Sequence, residues 1–418
     1  MHSQVRLSNS LRFLLLAILL LAGCATTTAP PSPRPPVLLI SVDGLRARDV
    51  TPTLMPNVSR LAAQGVLASD GMRPSFPSLT FPNHYTIVTG LRPDHHGIVQ
   101  NTMRDPQLGS FKLSNESAVG DGRWWGGEPV WVSVEKAGLH SATLFWPGSQ
   151  AAIAGVRPTR WQKYDKSVTT NARVDIVSAW LGEPEVTRPA FITLYFDEVD
   201  ETEHEHGPGS PEANAALHDT DAAIGRLFDA LRTRGQLDAV NIVLVSDHGF
   251  ANVPRDHVVA VEDVVTKQEA EAVSLGQVPE FAPNPGFEAI AERKLLGRHD
   301  HFECWKKAAL PPRWHYGSNP RIPPIVCQMD EGWDMLAKSA VAKRLEGGDR
   351  GSHGYDPALP SMRATFVAHG PAFVAGAQLP VFDNVDVYPL LMRLLGLAPR
   401  PNDGDPRTFN DVLTSRGK

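Results

Sequence analysis

Three short apolar runs, each followed at once by a carboxylate, restrict the choice of fold more than any other feature of this chain. They cover residues 37–42, 190–196 and 241–246. A continuous apolar run of this length is typical of a strand buried on both faces of a parallel sheet. Residues 211–234 lie between the last two runs and repeat apolar residues on one helical face. The pattern predicts an α/β fold, a parallel sheet with helices on both faces.

Polar side chains stand at the carboxyl ends of these predicted strands. Asp43 follows the first run, Asp200 lies just past the second, and Asp247 and His248 follow the third. The carboxyl ends of parallel strands share one edge of a sheet, and ligands bind beyond that edge in open α/β folds. The sequence therefore predicts that these side chains form one site.

A predicted helix begins at Thr80, which stands where an N-cap residue is expected. Phe81 and Pro82 follow as first-turn residues, and Gly90 ends the apolar run. A hydroxyl at this position faces unpaired N–H groups and the positive end of the helix dipole, which favour an alkoxide or a bound phosphate. Taken alone, the pattern is that of an ordinary capping threonine. The Asp and His residues elsewhere in the chain favour a nucleophile instead.

Three local patterns supply candidate metal ligands. Asp200 and His204 are four residues apart, Asp247 and His248 are adjacent, and His353 is flanked by Gly-Ser and Gly. Each has an ordinary explanation on its own, such as a solvated acidic loop or a structural histidine. Together the candidate ligands are Asp43, Asp200, His204, Asp247, His248 and His353, with the hydroxyl of Thr80 as a seventh. Mixed carboxylate and imidazole ligands suit Zn²⁺, whereas an all-oxygen site would suit Mg²⁺ or Ca²⁺.

From residue 37 to about residue 396 the chain resembles the nucleotide pyrophosphatase/phosphodiesterases of the alkaline phosphatase superfamily. The most specific stretch is residues 80–98, which is nearly the family signature. The resemblance implies an alkaline-phosphatase-like core with two Zn²⁺ per chain and Thr80 as the nucleophile. One zinc would be held by Asp200, His204 and His353, and the other by Asp43, Asp247 and His248.

The resemblance also implies substrate contacts. Asn101 matches an asparagine that stabilises negative charge on a phosphoryl oxygen, and Phe81 and Tyr195 match positions that sandwich a nucleobase. Core packing is the alternative explanation for the two aromatic residues. His84 follows the helix periodicity and is expected to be an internal hydrogen-bond partner.

The expected function is that of a two-zinc phosphodiesterase and pyrophosphatase that hydrolyses nucleotide phosphodiesters and pyrophosphates to nucleoside monophosphates through a phosphothreonine intermediate. One alternative is a phospholipid or glycerophosphodiester phosphodiesterase on the same scaffold, and another is an inactive envelope binding lipoprotein. A sulfatase is disfavoured, because residues 80–84 lack the Cys/Ser-x-Pro-x-Arg pattern. The net charge of −6 gives no basic, nucleic-acid-binding surface. The expected partners are small nucleotides, and the protein is expected to be a monomer.

Residues 1–23 are typical of a secretory signal, with two arginines before a nine-residue apolar core at residues 13–21. Such a core is shorter than the ~20 residues that span a bilayer. The segment ends Leu-Ala-Gly-Cys and resembles a bacterial lipobox, so lipidation is expected at Cys24, with a plain signal peptide as the alternative. Residues 24–36 would be a Thr/Pro tether. The expected location is the periplasm-facing cell envelope, as an outer-membrane lipoprotein that meets the membrane only through this lipid.

Residues 255–345 have little regular periodicity and are rich in Pro, aromatic and basic residues. They are expected to form an insertion, or cap, between core parts 37–254 and 346–418. The insertion carries Cys304 and Cys327, which are expected to form a disulfide in an oxidising compartment. The chain-entropy model gives such a bridge about 3 kcal/mol of stabilisation.

Overall fold

The computed structural model describes residues 34–415 and 417. The predicted signal peptide, the lipidation site Cys24 and the tether up to residue 33 lie outside these residues. Within the described part, no helix is both long and apolar enough to cross a membrane.

The secondary structure alternates between strands and helices along most of the chain. The strands are β1 (Val37–Val42), β2 (Val66–Ala68), β3 (Met72–Arg73), β4 (Thr102–Asp105), β5 (Gly109–Lys112), β6 (Ser141–Leu144), β7 (Arg160–Trp161), β8 (Phe191–Phe196), β9 (Asn241–Val245), β10 (Ala251–Val253), β11 (Val258–Ala260), β12 (Ala270–Ser274), β13 (Glu280–Pro283), β14 (Gly297–Arg298), β15 (Phe302–Lys306), β16 (Ile325–Met329), β17 (Asp334–Leu336), β18 (Arg350–Ser352), β19 (Phe366–His369), β20 (Ala377–Leu379) and β21 (Phe382–Asp383). The α-helices are α1 (Pro56–Ala63), α2 (Thr80–Thr89), α3 (Pro93–His96), α4 (Glu116–Val119), α5 (Val130–Lys136), α6 (Thr170–Leu181), α7 (Glu198–His206), α8 (Pro211–Thr233), α9 (Val261–Val264), α10 (Glu288–Leu295), α11 (Lys338–Glu346) and α12 (Val387–Leu395).

The three apolar runs of the sequence form the centre of an eight-stranded sheet, in the order β20-β2-β19-β9-β1-β8-β6-β7. Strand β1 pairs in parallel with both β8 and β9, so the carboxyl ends of all three strands reach the same edge. Strand β19 is antiparallel to β9 and β2, which makes the sheet mixed. The predicted α/β fold is confirmed, with this one strand reversed.

Helices cover both faces of the sheet because side chains alternate along each buried strand. In β1, Leu39 belongs to the apolar core that also contains residues of α2, α5 and α12. Its neighbours Leu38 and Ile40 point to the opposite core, which includes α1, α6 and α8. A strand that is buried on both faces has no polar side to expose, which explains its continuous apolar run.

Two local expectations differ from the structure. Helix α2 has Leu79 as its N-cap, so Thr80 is the first helical residue and its hydroxyl makes no capping bond. The segment after β8, for which a solvated acidic loop was the ordinary explanation, is the helix α7, which carries both Asp200 and His204. The predicted end of α2 at Gly90 is correct, and this glycine has a φ of 65°.

Residues 255–345 form several short elements around a five-stranded sheet, in the order β12-β13-β16-β15-β14. This small sheet packs on its own apolar core. Cys304 and Cys327 lie opposite each other on β15 and β16, with 4.0 Å between their Cα atoms, and form a disulfide. The alternation of strand residues in this segment is short and interrupted, which explains why the sequence did not predict a sheet there.

Replacing both cysteines by serine is expected to lower the free energy of unfolding by about 3 kcal/mol, because the unfolded chain regains the freedom of the closed loop. Urea unfolding of the oxidised protein and of the double variant measures the difference. The double variant should keep its activity, since both cysteines lie on the inserted sheet and neither is a predicted metal ligand. Reduction of the wild-type protein should lower its stability to that of the variant; an unchanged unfolding midpoint would contradict the prediction.

Candidate active site

The predicted ligands meet beyond the carboxyl ends of β1, β8 and β9. Asp43 follows β1 directly, Asp247 follows β9 after one serine, and Asp200 lies in the first turn of α7 after β8. The tight turn after β1 needs Gly44, which has a φ of +71° and whose backbone N–H donates to Asp247 Oδ1 at 3.2 Å. The sheet therefore brings together three carboxylates that are far apart in the sequence.

The first predicted metal-binding group is assembled from α7 and the loop after β18. His204 Nε2 lies 3.6 Å from an oxygen of Asp200, one helical turn earlier on α7. His353 Nε2 lies 3.6 Å from the other oxygen of Asp200 and 3.1 Å from His204 Nε2. The three side chains of this group therefore hold their nitrogen and oxygen atoms within 3.6 Å of a neighbouring member.

The second predicted group lies beside the first. His248 Nε2 is 2.9 Å from Asp247 Oδ2 and 3.5 Å from Asp43 Oδ1. The ring of His248 stacks on that of His353 with 3.5 Å between centroids, so the two groups are contiguous. Two triplets have all ligand atoms within 4.8 Å of one another: Asp200, His248 and His353, and Asp43, His84 and Asp247. The geometry therefore divides these ligands between two ions less clearly than the predicted assignment does.

Backbone carbonyls fix the orientation of the three histidines. Nδ1 of His353 lies 2.9 Å from the carbonyl oxygen of Ser78. Nδ1 of His248 lies 3.1 Å from the carbonyl oxygen of Gly249, and Nδ1 of His204 lies 3.3 Å from that of Gly351. A ring that donates through Nδ1 presents an unprotonated Nε2, the usual form of a metal-binding imidazole. Burial lowers the pKa of His204 to about 4 and that of His353 well below its ordinary value. Both rings are therefore neutral at physiological pH.

The carboxylates lack partners that a cation would supply. Asp43 Oδ1, Asp200 Oδ1 and Asp247 Oδ2 are buried and accept no hydrogen bond from the described residues. Burial and the nearby charge of Asp247 raise the pKa of Asp43 and of Asp200 well above the ordinary value. Orphaned oxygens and mutual repulsion are costly unless positive charge is bound. The donor set therefore fits divalent metal ions, and its mixture of imidazole and carboxylate suits zinc.

Thr80 directs its hydroxyl toward this cluster. Its Oγ1 lies 3.4 Å from His248 Nε2, and the residue is only partly buried. His84, one turn later on α2, has its Nε2 2.8 Å from Ser41 Oγ and its Nδ1 3.0 Å from the carbonyl oxygen of Thr80. His84 is thus an internal hydrogen-bond partner, as predicted, although its Nδ1 also lies 3.3 Å from Asp247 Oδ2.

Asn101 sits at the amino end of α2. Its Oδ1 accepts a hydrogen bond from the backbone N–H of Phe81 at 3.1 Å. This contact satisfies one of the unpaired N–H groups of the first helical turn. It also fixes the amide so that the NH₂ group, which has no hydrogen bond to the described residues, remains available to a ligand beside Thr80.

A cavity of about 480 Å³ opens from the cluster, and both Phe81 and Tyr195 line it. Phe81 packs against Phe111 and Trp125 with ring centroids 6.1 Å and 5.9 Å away. Tyr195 donates its hydroxyl to Asp43 Oδ2 at 2.6 Å and meets His84 edge to face. The two predicted substrate-binding rings thus border one cavity, with Tyr195 at the end nearest the carboxylates.

Tyr164 also lines this cavity, and the sequence did not reveal it. It lies in the loop before α6, is 44% exposed and lines the cavity together with Thr80. Its hydroxyl donates to Asp197, whose other oxygen is 2.6 Å from the guanidinium of the buried Arg173. No motif or periodicity marks Tyr164, since a single aromatic residue in a loop carries no pattern.

Several known proteins are similar to this chain in sequence and in fold. A model described as type I phosphodiesterase / nucleotide pyrophosphatase matches residues 37–356. Over 405 residues the chain is 37% identical to the venom phosphodiesterase CdcPDE of Crotalus durissus collilineatus, covering 93% of this chain and 48% of the relative. It is 36% identical to the ectonucleotide pyrophosphatase/phosphodiesterase family member 3 of Bos taurus, covering 93% of this chain and 46% of the relative. The chain thus spans about half the length of the curated relatives it matches.

The match to solved structures covers a larger share of the related chain. The murine ectonucleotide pyrophosphatase / phosphodiesterase 5, solved as an inactive variant in complex with AMP, superimposes with a TM-score of 0.85 at 32% identity. The match covers 91% of this chain and 100% of the murine chain. The human ectonucleotide pyrophosphatase / phosphodiesterase 5 gives the same TM-score at 31% identity.

Proposed function

The chain belongs to the type I phosphodiesterase / nucleotide pyrophosphatase family of the alkaline phosphatase superfamily, and from this premise we propose that it hydrolyses nucleotide phosphodiesters and pyrophosphates to nucleoside monophosphates. The observation that carries the proposal is the position of the Thr80 hydroxyl, 3.4 Å from His248 Nε2 and beside three carboxylates with orphaned oxygens. A nucleophile beside a cation site is the arrangement that phosphoryl transfer requires.

Two zinc ions are proposed as the cofactors. Asp200, His204 and His353 would hold one ion, and Asp43, Asp247 and His248 the other. When bound, the metals supply positive charge that lowers the pKa of the threonine hydroxyl and neutralises the phosphoryl oxygens. The buried carboxylates would then have the partners that the protein itself does not provide.

The reaction would proceed in two displacements at phosphorus. Thr80 Oγ1 gives its proton to solvent water and attacks the phosphorus. The bond to the leaving alcohol or pyrophosphate oxygen breaks in line with it, and an alcohol leaving group takes up a proton from solvent. The product is a phosphothreonine that still carries the nucleoside. Water then cleaves the bond between Oγ1 and phosphorus, which releases the nucleoside monophosphate and restores Thr80. Asn101 would donate its NH₂ group to a phosphoryl oxygen in both steps.

The cavity supports a nucleotide as the substrate. AMP is bound in the structure of the murine relative. In this chain, Phe81 and Tyr164 offer aromatic rings in the same cavity as the nucleophile. We propose that these two rings hold the nucleobase. Tyr195 donates its hydroxyl to Asp43. It would therefore contact the substrate closer to the metal ions than the base-binding position predicted for it.

Two chromogenic diesters test the substrate class. We expect kcat/KM to be higher for p-nitrophenyl-TMP than for p-nitrophenylphosphorylcholine, since only the former has a base that stacks on aromatic rings. Tyr164→Leu should raise KM for the nucleotide diester by about 10-fold, because stacking contributes ~1–3 kcal/mol per base. Tyr164→Phe, which keeps the ring, is the matched control and should behave like the wild type.

The opposite results are equally informative. A preference for the choline diester would identify a phospholipid-type phosphodiesterase on the same scaffold. If Tyr164→Leu left KM for the nucleotide unchanged, the base would bind elsewhere. Absence of turnover with both diesters in zinc-loaded protein would contradict the proposed activity.

A further inference from the structure

Strand β18 fixes both imidazole rings of one proposed zinc ion. His353 directly follows the last residue of the strand, and Nδ1 of His204 lies 3.3 Å from the carbonyl oxygen of Gly351 within it. A Cβ at Gly351 would lie only 2.5 Å from the carbonyl oxygen of Glu203, so β18 and helix α7 touch through their backbones. A shift of β18 would therefore displace His353 and release the ring of His204.

The inserted segment anchors this strand through a buried carboxylate. Asp334, the first residue of β17, is 0% exposed. One of its oxygens accepts hydrogen bonds from Arg350, the first residue of β18, through Nη2 and through Nε at 3.2 Å. The other oxygen accepts the side-chain NH₂ group of Gln277. Because β17 pairs with β11, where Val258 lies opposite Asp334, the carboxylate has its own support within the inserted segment.

A second arginine extends the anchor to the strand beside β18. Nη2 of Arg344 donates to the carbonyl oxygens of Val253 and Pro254, at 2.8 Å each. Its Nε lies 3.7 Å from the oxygen of Asp334 that binds Arg350. Val253 lies on β10, opposite Arg350 in the antiparallel pair of β10 and β18. One buried carboxylate thus holds both strands of this pair through two guanidinium groups, which supply the positive charge that its burial requires.

The chain that follows His353 also rests on the inserted segment. Gln328, on β16 of the small sheet, directs its NH₂ group to the carbonyl oxygen of Gly354 at 3.4 Å. Tyr355 donates its hydroxyl to the carbonyl oxygen of Trp333 at 3.2 Å. Residues of the inserted segment therefore hold the chain on both sides of His353.

The second proposed zinc ion has a different support. Asp43 and Asp247 follow β1 and β9, which pair with each other in the large sheet, and His248 is adjacent to Asp247. Nδ1 of His248 lies 3.1 Å from the carbonyl oxygen of Gly249, within the same loop. A change at Asp334 should therefore affect one ion more than the other.

We propose that Asp334 is a positioning residue for the zinc ion held by Asp200, His204 and His353, and that it acts through Arg350 and strand β18. The inference rests on the function proposed above, in which two zinc ions are bound. It gives residues 255–345 a role, because this segment would complete one of the two metal sites without supplying a ligand to it. Residues that orient metal-ligating histidines contribute about 10- to 100-fold to metal affinity, since they fix the ring before the ion binds.

Asp334→Asn tests the inference, because it keeps the size of the side chain and removes its charge. The side chain of Arg350 is 30% exposed, so its guanidinium can then turn to water. In a calorimetric zinc titration of the chelated protein, we expect one of the two sites to bind about 10-fold more weakly and the other to be unchanged. Turnover at limiting zinc should fall and should recover in excess zinc. Hydrogen exchange of residues 350–354 in the metal-free protein should be faster than in the wild type.

Two further variants separate positioning from a general loss of stability. The double variant Cys304→Ser/Cys327→Ser loses a bridge between β15 and β16 in the same inserted segment, so both of its zinc affinities should stay at the wild-type values. In Arg350→Gln the same site should be weakened as in Asp334→Asn, and combining the two changes should weaken it no further, because both break one ion pair. Arg350 is partly exposed, so this variant carries the test if Asp334→Asn does not fold.

The outcomes distinguish this inference from the proposed function. Wild-type zinc affinity at both sites in folded Asp334→Asn or Arg350→Gln would exclude the positioning role and leave the activity in place. Equal weakening of both sites, or the same weakening in the disulfide variant, would indicate a general loss of stability and would also exclude that role. If the wild-type protein binds no zinc and its turnover survives chelation, the metal-dependent function itself is wrong.

Discussion

Thr80→Ala is expected to reduce turnover of nucleotide diesters by on the order of 10³-fold or more, the scale seen when a covalent nucleophile is removed. The physical reason is that no other described hydroxyl side chain lies within hydrogen-bond distance of His248 Nε2. The metal content should stay near that of the wild type, because three carboxylates and three histidines remain. Steady-state kinetics and metal analysis of the same preparation measure both quantities.

Thr80→Ser is the matched control for this experiment. Serine keeps the hydroxyl at the first position of α2 and removes only a methyl group, so we expect it to retain a substantial part of the activity. A phosphorylated intermediate should be trapped from the wild type and from Thr80→Ser after rapid acid quench, and not from Thr80→Ala. Undiminished turnover by Thr80→Ala would exclude this residue as the nucleophile.

Removal of divalent metal is expected to abolish activity reversibly. Without cations, the buried carboxylates Asp43, Asp200 and Asp247 face one another with orphaned oxygens, and the hydroxyl of Thr80 has nothing to lower its pKa. Zn²⁺ should restore activity better than Mg²⁺, because His204, a nitrogen ligand, suits zinc and not magnesium. Dialysis against a chelator, followed by titration with each metal, gives the comparison.

Thermal unfolding provides a readout that does not depend on activity. A metal that binds only the folded protein at 100 times its Kd adds about 2.7 kcal/mol of stability. The melting temperature of the chelated protein should therefore rise on addition of zinc. In His353→Ala the rise should be smaller, because one proposed zinc loses a ligand. A melting temperature indifferent to zinc, with a metal content near zero in the untreated protein, would indicate a binding protein that has lost catalysis.

Those parts of the fold and of the site that depend on local chemistry could be predicted from the sequence. Buried strands have continuous apolar runs, and parallel pairing brings their ends to one edge, so the meeting of Asp43, Asp200 and Asp247 could be predicted. Glycine marks positions that need positive φ, which is why the end of α2 at Gly90 was predicted correctly. The family signature at residues 80–98 directed attention to Thr80.

Other features depend on contacts that no local pattern records. Thr80 looked like an N-cap, but the amino end of α2 is bound instead by Asn101, a residue 21 positions later. Tyr164 borders the cavity from a loop, where its hydroxyl donates to Asp197 and Asp197 in turn pairs with Arg173. These arrangements are set by tertiary packing, which overrides local preference.

The hydrogen bond from His353 to Ser78 joins residues 275 positions apart in the chain. Closing so long a loop costs conformational entropy that local structure cannot offset early in folding, so contacts of this kind form late. During synthesis, residues 37–254 emerge with Thr80 and all the candidate ligands but one. The last ligand arrives only after the inserted sheet has been made. The chain should therefore acquire its full metal affinity as a late event of maturation, and any product truncated before residue 353 should be inert.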